Sequence, residues 1–229
     1  MNLYLCGGGS GKQVIKAYKH LFKRINNLKP ILYIPLAMDC VKYDDCYEWF
    51  KKEVEYINIS SFEMVRSSVE LSKKNLDDYS ALFLGGGNTY KLLEEIKNNK
   101  NDIKIIDYLK NGGTVFGGSA GAIIFGNDID VCKIDDKNEN VDLPTKGFNY
   151  LNNYSILCHL KRKNFIKNKE YLTEYSEKNK VLYLPEDAVI YLSDRKITII
   201  GNCSYILFKN SNYYIRKFNN LKKDFLSNK

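Results

Sequence analysis

Short uninterrupted apolar runs alternate along the chain with longer segments whose apolar residues recur at helical spacing. Leu3-Tyr4-Leu5-Cys6, Pro30 to Leu36 and Ala81-Leu82-Phe83-Leu84 carry no charge and read as strands buried on both faces. Gln13 to Asn26 places Val14, Tyr18, Leu21, Phe22 and Ile25 on one helix face. Lys16, Lys19, His20, Lys23 and Arg24 take the other, which makes His20 a solvated surface histidine. Tyr43 to Lys52 predicts a helix, Glu55 to Ile59 a third strand, and Ser61 to Lys73 and Asp102 to Lys110 two further helices. Charge-free strands separated by helices predict an α/β fold, a mostly parallel sheet sandwiched by helices.

The second half reads differently. Residues 127–154 are polar and irregular, a long excursion placed beside the site. Ser155 to His159 is a strand ending in His159, Asn164 to Lys178 a helix, and Val181 to Asp187 a strand ending in Glu186 and Asp187. Ala188 to Leu192, Ile197 to Ile200, Tyr205 to Phe208 and Tyr213 to Ile215 are short strands joined by turn residues. They predict antiparallel strands extending the sheet edge at the C-terminus. With no internal repeat and no linker, 229 residues fit one domain, 1–229.

Composition adds exclusions. The net charge of +8 comes from 35 basic and 27 acidic residues. The lysines are spread along helix faces and not gathered with aromatics, so the surface reads as solvated and not as a nucleic-acid interface. No apolar run is long enough to span a membrane. The N-terminus has no basic segment ahead of Gly7, so a cytoplasmic protein is expected. Six scattered cysteines without a C-x-x-C pair, and two histidines, argue against a zinc site, and no cofactor is called for. Nothing in the pattern speaks to oligomeric state.

Three glycine-rich turns carry the chemistry. Gly7-Gly8-Gly9-Ser10-Gly11-Lys12 follows the first strand but fails the phosphate-loop spacing, since Cys6 and Gln13 stand where Gly and Ser or Thr are required. Gly85-Gly86-Gly87-Asn88 closes the Ala81–Leu84 strand and opens a helix, and its glycines let N–H groups converge on an anion. Gly117-Gly118-Ser119-Ala120-Gly121 is a G-x-S-x-G turn, which lifts a serine hydroxyl clear of the sheet beside the free N–H groups of a new helix. A serine N-cap at a plain strand-to-helix junction would give the same string. Strand ends then present Ser119, His159 and a carboxylate, Glu186 or its neighbour Asp187. These are the groups for nucleophile, base and orienting acid. The order Ser, His, acid differs from the Ser, acid, His order of α/β-hydrolases.

Leu84 to Leu93, Gly117 to Ala122, His159 and Leu184-Pro185-Glu186 together resemble the peptidase E family. These are serine peptidases related to cyanophycinase, on a fold like that of class I glutamine amidotransferases. The resemblance runs from the first strand to about Leu192. It implies Ser119 as nucleophile, His159 as base, Glu186 as third member, and an oxyanion hole from the N–H groups of Gly87 and Ala120. It also implies a small peptide substrate, a dipeptide with N-terminal Asp. Asn88, next to Gly87, and Arg162, a few residues after His159 and able to grip a carboxylate with two parallel hydrogen bonds, are candidate substrate contacts. Two departures bear on the substrate. Gly118 stands where family members carry a bulky residue, and Lys161-Arg162-Lys163 replaces their arginine-containing segment. The alternatives are a non-catalytic binding or regulatory protein on the same fold, and a cyanophycinase-like β-aspartyl peptidase. A glutamine amidotransferase is disfavoured, because serine holds the elbow where that chemistry uses cysteine.

Overall fold

The computed structural model describes residues 1–194, 196–202 and 204–217. In chain order its strands are β1 Asn2–Cys6, β2 Ile31–Ile34, β3 Phe62–Met64, β4 Ala81–Leu84, β5 Thr114–Gly118, β6 Tyr154–Leu157, β7 Lys180–Tyr183, β8 Ala188–Ser193, β9 Lys196–Gly201, β10 Ser204–Lys209 and β11 Asn212–Lys217. The helices are α1 Ile15–Phe22, α2 Tyr43–Ile57, α3 Ser68–Lys73, α4 Thr89–Lys97, α5 Asn101–Lys110, α6 Ala120–Ile123 and α7 Arg162–Tyr175.

Seven strands form one sheet in the order β3-β2-β4-β5-β1-β8-β9. The first five are parallel, and β8 and β9 add antiparallel at the edge. Strand periodicity sorts the side chains into two cores. Leu3, Leu5, Leu82, Leu84 and Val115 face one helical layer. Tyr4, Cys6, Ala81, Phe83 and Phe116 face the other. The second core is aromatic: Phe83 stacks on Phe116 at 4.9 Å and Tyr33 on Phe50 at 4.1 Å. Such pairs add to their area burial.

Several expectations need correction. Glu55 to Ile59 is not a strand; α2 runs on to Ile57 and ends at Asn58 in the left-handed conformation. The third strand is Phe62–Met64, inside the segment predicted as helix, and α3 takes only Ser68–Lys73. The C-terminal strands do not all extend the main sheet. Instead, β10 and β11 join β7 and β6 in a second sheet, ordered β11-β10-β7-β6. The strands leading to His159 and Glu186 therefore lie outside the sheet that carries Ser119. His20 is half-buried: its Nδ1 lies 2.9 Å from Tyr4 Oη, and its ring packs edge-on to Tyr191. Burial first, then the charges of Arg24, Lys196 and Lys23, lower its pKa to about 4.

Cys6, Cys46, Cys132 and Cys158 are buried free thiols, whereas Cys40 is exposed; Cys203 lies outside the described residues. No helix among the described residues is long and apolar enough to cross a membrane.

Candidate active site

Register sets the site. Leu84 pairs with Gly117 across β4 and β5, and Cys6 with Gly118 across β1 and β5. The glycine turns after β4, β5 and β1 therefore lie side by side at the carboxyl edge of the sheet, where open α/β sheets bind ligands. The turn after β5 is central. Ser119 there has φ 51° and ψ −112°, a strained conformation for a residue with a side chain. The turn closes tightly because its glycines are bare. A Cβ on Gly117 would meet Gly121 O at 2.2 Å, and one on Gly121 would meet Leu84 O at 2.3 Å.

The second sheet delivers the other two groups. Leu157 pairs with Tyr183, so β6 and β7 end together. Their continuations lie against the turn after β1: His159 N donates to Gly7 O (2.9 Å) and Gly9 N to Glu186 O (2.8 Å). A Cβ on Gly7 would fall 1.9 Å from Pro185 O, and one on Gly8 2.2 Å from His159 Cε1. The Gly7–Gly9 turn is thus a packing surface for the imidazole and carboxylate loops. It needs no bound anion to account for its glycines.

His159 Nε2 lies 2.8 Å from Ser119 Oγ, and His159 Nδ1 lies 3.1 Å from Glu186 Oε1. The tautomer with its proton on Nδ1 satisfies both contacts: Nδ1–H donates to the carboxylate, and Nε2 accepts from the hydroxyl. This leaves Glu186, not Asp187, on the imidazole. Burial alone would raise the Glu186 pKa, but hydrogen bonds from Lys161 and His159 outweigh it and hold the carboxyl below its ordinary value. Lys161 Nζ reaches the same Oε1 at 2.8 Å. Lys161 stands in the basic run after His159, and its pairing with a residue 25 positions on leaves no local mark in the sequence.

Ala120 is the first residue of α6, so its N–H has no carbonyl one turn back to bond. Gly87 has φ +137°, and a Cβ there would meet Ala37 O at 2.5 Å. It lines a cavity of about 310 Å³ together with Ser119, His159, Gly118, Phe83 and Trp49. The two candidate substrate contacts are placed differently from expectation. Both ends of the Asn88 amide are engaged: Oδ1 accepts from Lys91 N (3.0 Å), capping α4, and Nδ2 donates to Lys137 O (2.8 Å). Arg162 is exposed on the first turn of α7 and does not line the cavity.

The 127–154 excursion docks on α4. Thr89 N donates to Asp136 Oδ2 (2.8 Å), Asn140 Nδ2 to Glu94 Oε1 (2.8 Å), and Lys97 Nζ to Pro144 O and Lys146 O (3.1 Å each). It walls a second, more polar cleft of about 550 Å³ beside Gly87 and Asn88. Among the described residues no group of three or more His, Cys, Asp or Glu is placed to hold a metal ion.

The model of peptidase family S51 matches residues 3–200. The chain belongs to peptidase family S51. It is therefore a serine-type peptidase, and the matched span takes in all three glycine turns with Ser119, His159 and Glu186. An uncharacterised peptidase of Listeria monocytogenes is 24% identical over 200 residues, spanning 86% of this chain and 96% of that protein. Among solved structures, a candidate peptidase E of Listeria monocytogenes superposes with a TM-score of 0.72 at 24% identity, covering 87% of this chain and 98% of the other. A peptidase from an acI-B1 Actinobacterium gives 0.70 at 16% identity, covering 95% and 94%. At these identities the two structures show a shared fold, the mostly parallel sheet between helices.

Proposed function

We propose that this S51 peptidase cleaves small peptides through a Ser119–His159–Glu186 triad and a covalent acyl-enzyme. Ser119 Oγ attacks the scissile carbonyl carbon while His159 Nε2 takes its proton. Glu186 holds the Nδ1–H and offsets the charge on the imidazolium. The carbonyl oxygen becomes an oxyanion, which the N–H groups of Gly87 and Ala120 stabilise. Collapse breaks the C–N bond as His159 hands its proton to the departing amine. Water, deprotonated by His159, then hydrolyses the Ser119 ester and restores the hydroxyl.

The observation that carries this reading is the 2.8 Å approach of Ser119 Oγ to His159 Nε2 at a strained elbow. A serine that served only as a helix cap would have no use for it, and Ser119 makes no side-chain capping bond to α6. The cavity of about 310 Å³ suits a short peptide. The N-terminal Asp implied by family resemblance would need a cation beside the acyl group, and among the described residues no lysine or arginine lines that cavity.

The test is hydrolysis of a panel of dipeptides, with β-aspartyl peptides included, by wild type and Ser119→Ala. Wild-type turnover of at least one α-dipeptide, lost by several orders of magnitude in the variant, is the expected result. A variant as active as wild type overturns the assignment. Turnover of β-aspartyl peptides alone would move the enzyme to the cyanophycinase-like class.

A further inference from the structure

The cavity that holds Ser119 continues into an apolar recess. Trp49 and Gly86 line both spaces, and the recess, about 340 Å³, is also lined by Tyr33, Met38 and Cys46. Trp49 is the only tryptophan in the chain, and its ring sits 6.0 Å from Tyr33 and 6.2 Å from Phe83. It is 37% exposed although it lies over this aromatic cluster. Gly118, immediately before Ser119, lines the Ser119 cavity. A Cβ there would come no closer than 3.9 Å to Leu84 O and 4.0 Å to Phe83 Cε1, so the position is open as well as bare. The charged residues that line the recess are Lys42 and Asp45, both exposed and of opposite sign.

From this geometry we infer that the side chain of the residue supplying the scissile carbonyl is neutral and apolar, large enough to reach Trp49. That residue becomes esterified to Ser119 Oγ, and the part of the Ser119 cavity lined by Gly118, Phe83, Gly86 and Trp49 receives its side chain. An apolar wall favours an apolar group there and penalises an unpaired carboxylate. Trp49 is then the specificity-determining residue, and the bare Gly118 supplies the room. The inference rests on the proposed cleavage at Ser119.

Trp49 itself supplies the test, because its fluorescence reports occupancy without turnover. Phe-Leu, Ala-Leu and Asp-Leu are titrated into Ser119→Ala protein while tryptophan emission is followed. Phe-Leu should shift the emission and bind about tenfold or more tighter than Asp-Leu, the scale on which apolar pockets discriminate. In otherwise wild-type enzyme, Trp49→Ala and Gly118→Val should each lower the Phe-Leu to Ala-Leu ratio of kcat/KM by about tenfold. Tighter binding of Asp-Leu, a loss of Asp-Leu turnover in Lys42→Met, or an unchanged ratio in both pocket variants overturns the inference. Binding as expected with no turnover by wild type would instead remove the catalytic reading and leave the pocket standing.

Discussion

Lys161 Nζ stands 2.8 Å from Glu186 Oε1, the oxygen that also meets His159 Nδ1. One carboxylate oxygen therefore serves an imidazole and an ammonium group. The lysine side chain is 59% exposed, so the pair contributes little to stability. Its consequence is electrostatic: it helps hold Glu186 ionised. In Lys161→Met the Glu186 titration, followed by carboxyl NMR, should move up toward the ordinary range, while stability at neutral pH changes by less than about 1 kcal/mol. Lys161→Glu places a like charge beside Glu186 and should lower kcat/KM by about tenfold or more. An unmoved Glu186 titration in Lys161→Met would show that the contact has no electrostatic weight.

Gly8→Ala should disable the enzyme at a distance from Ser119. The new Cβ would fall 2.2 Å from His159 Cε1, at a backbone φ of +110° that alanine tolerates poorly. Displacing an imidazole by about 1 Å costs on the order of 100-fold in rate. A kinetic assay paired with a melting curve separates the two effects. Full activity in Gly8→Ala would mean that the turn does not position His159.

The strain at Ser119 predicts a stability difference between two inactive variants. Glycine adopts positive φ without a Cβ clash, whereas alanine keeps it. Ser119→Gly should be more stable than Ser119→Ala by about 1–3 kcal/mol in denaturant unfolding. Equal stabilities would show that the elbow stores no strain.

His20 predicts a pH effect on stability and not on catalysis. Its folded-state pKa of about 4 lies below the unfolded value of about 6.5, so the native state binds the proton more weakly. Its contribution is complete above about pH 6.5 and is lost as pH falls toward 4. Glu186, also depressed in the fold, gives its contribution above the ordinary carboxylate range and loses it below. His20→Gln should flatten the stability curve between pH 4 and 6.5 relative to wild type and leave the pH profile of activity in place. A profile altered by His20→Gln would transfer catalytic weight to the wrong imidazole.

Much of this was readable because it is local. A charge-free run such as Ala81–Leu84 between polar helices has few other uses, and the Gly117–Gly121 elbow is a short backbone requirement written in glycine. What failed was short or long-range. Phe62–Met64 is a three-residue edge strand, and its single alternation of half-buried Phe62 and Met64 about exposed Glu63 is too short to tell from a helix turn. Glu55 to Ile59 mimics a strand within one turn of a helix end. His20 looked solvated because a helical wheel omits Tyr4 and Tyr191, which come from two strands beneath it. The split into two sheets is a matter of which strands pair, and β6 and β7 look as apolar as strands of the main sheet. The ion pair of Lys161 with Glu186 and the apolar recess under Trp49 arise from the same long-range packing.

Activation of Ser119 as a nucleophile by His159 is tested, without knowledge of the substrate, by mass spectrometry of the protein treated with a fluorophosphonate. The expected result is a single adduct, mapped to the peptide containing Ser119, absent in Ser119→Ala and strongly reduced in His159→Ala. An adduct on another residue, or labelling of Ser119 that is indifferent to the loss of His159, would contradict it.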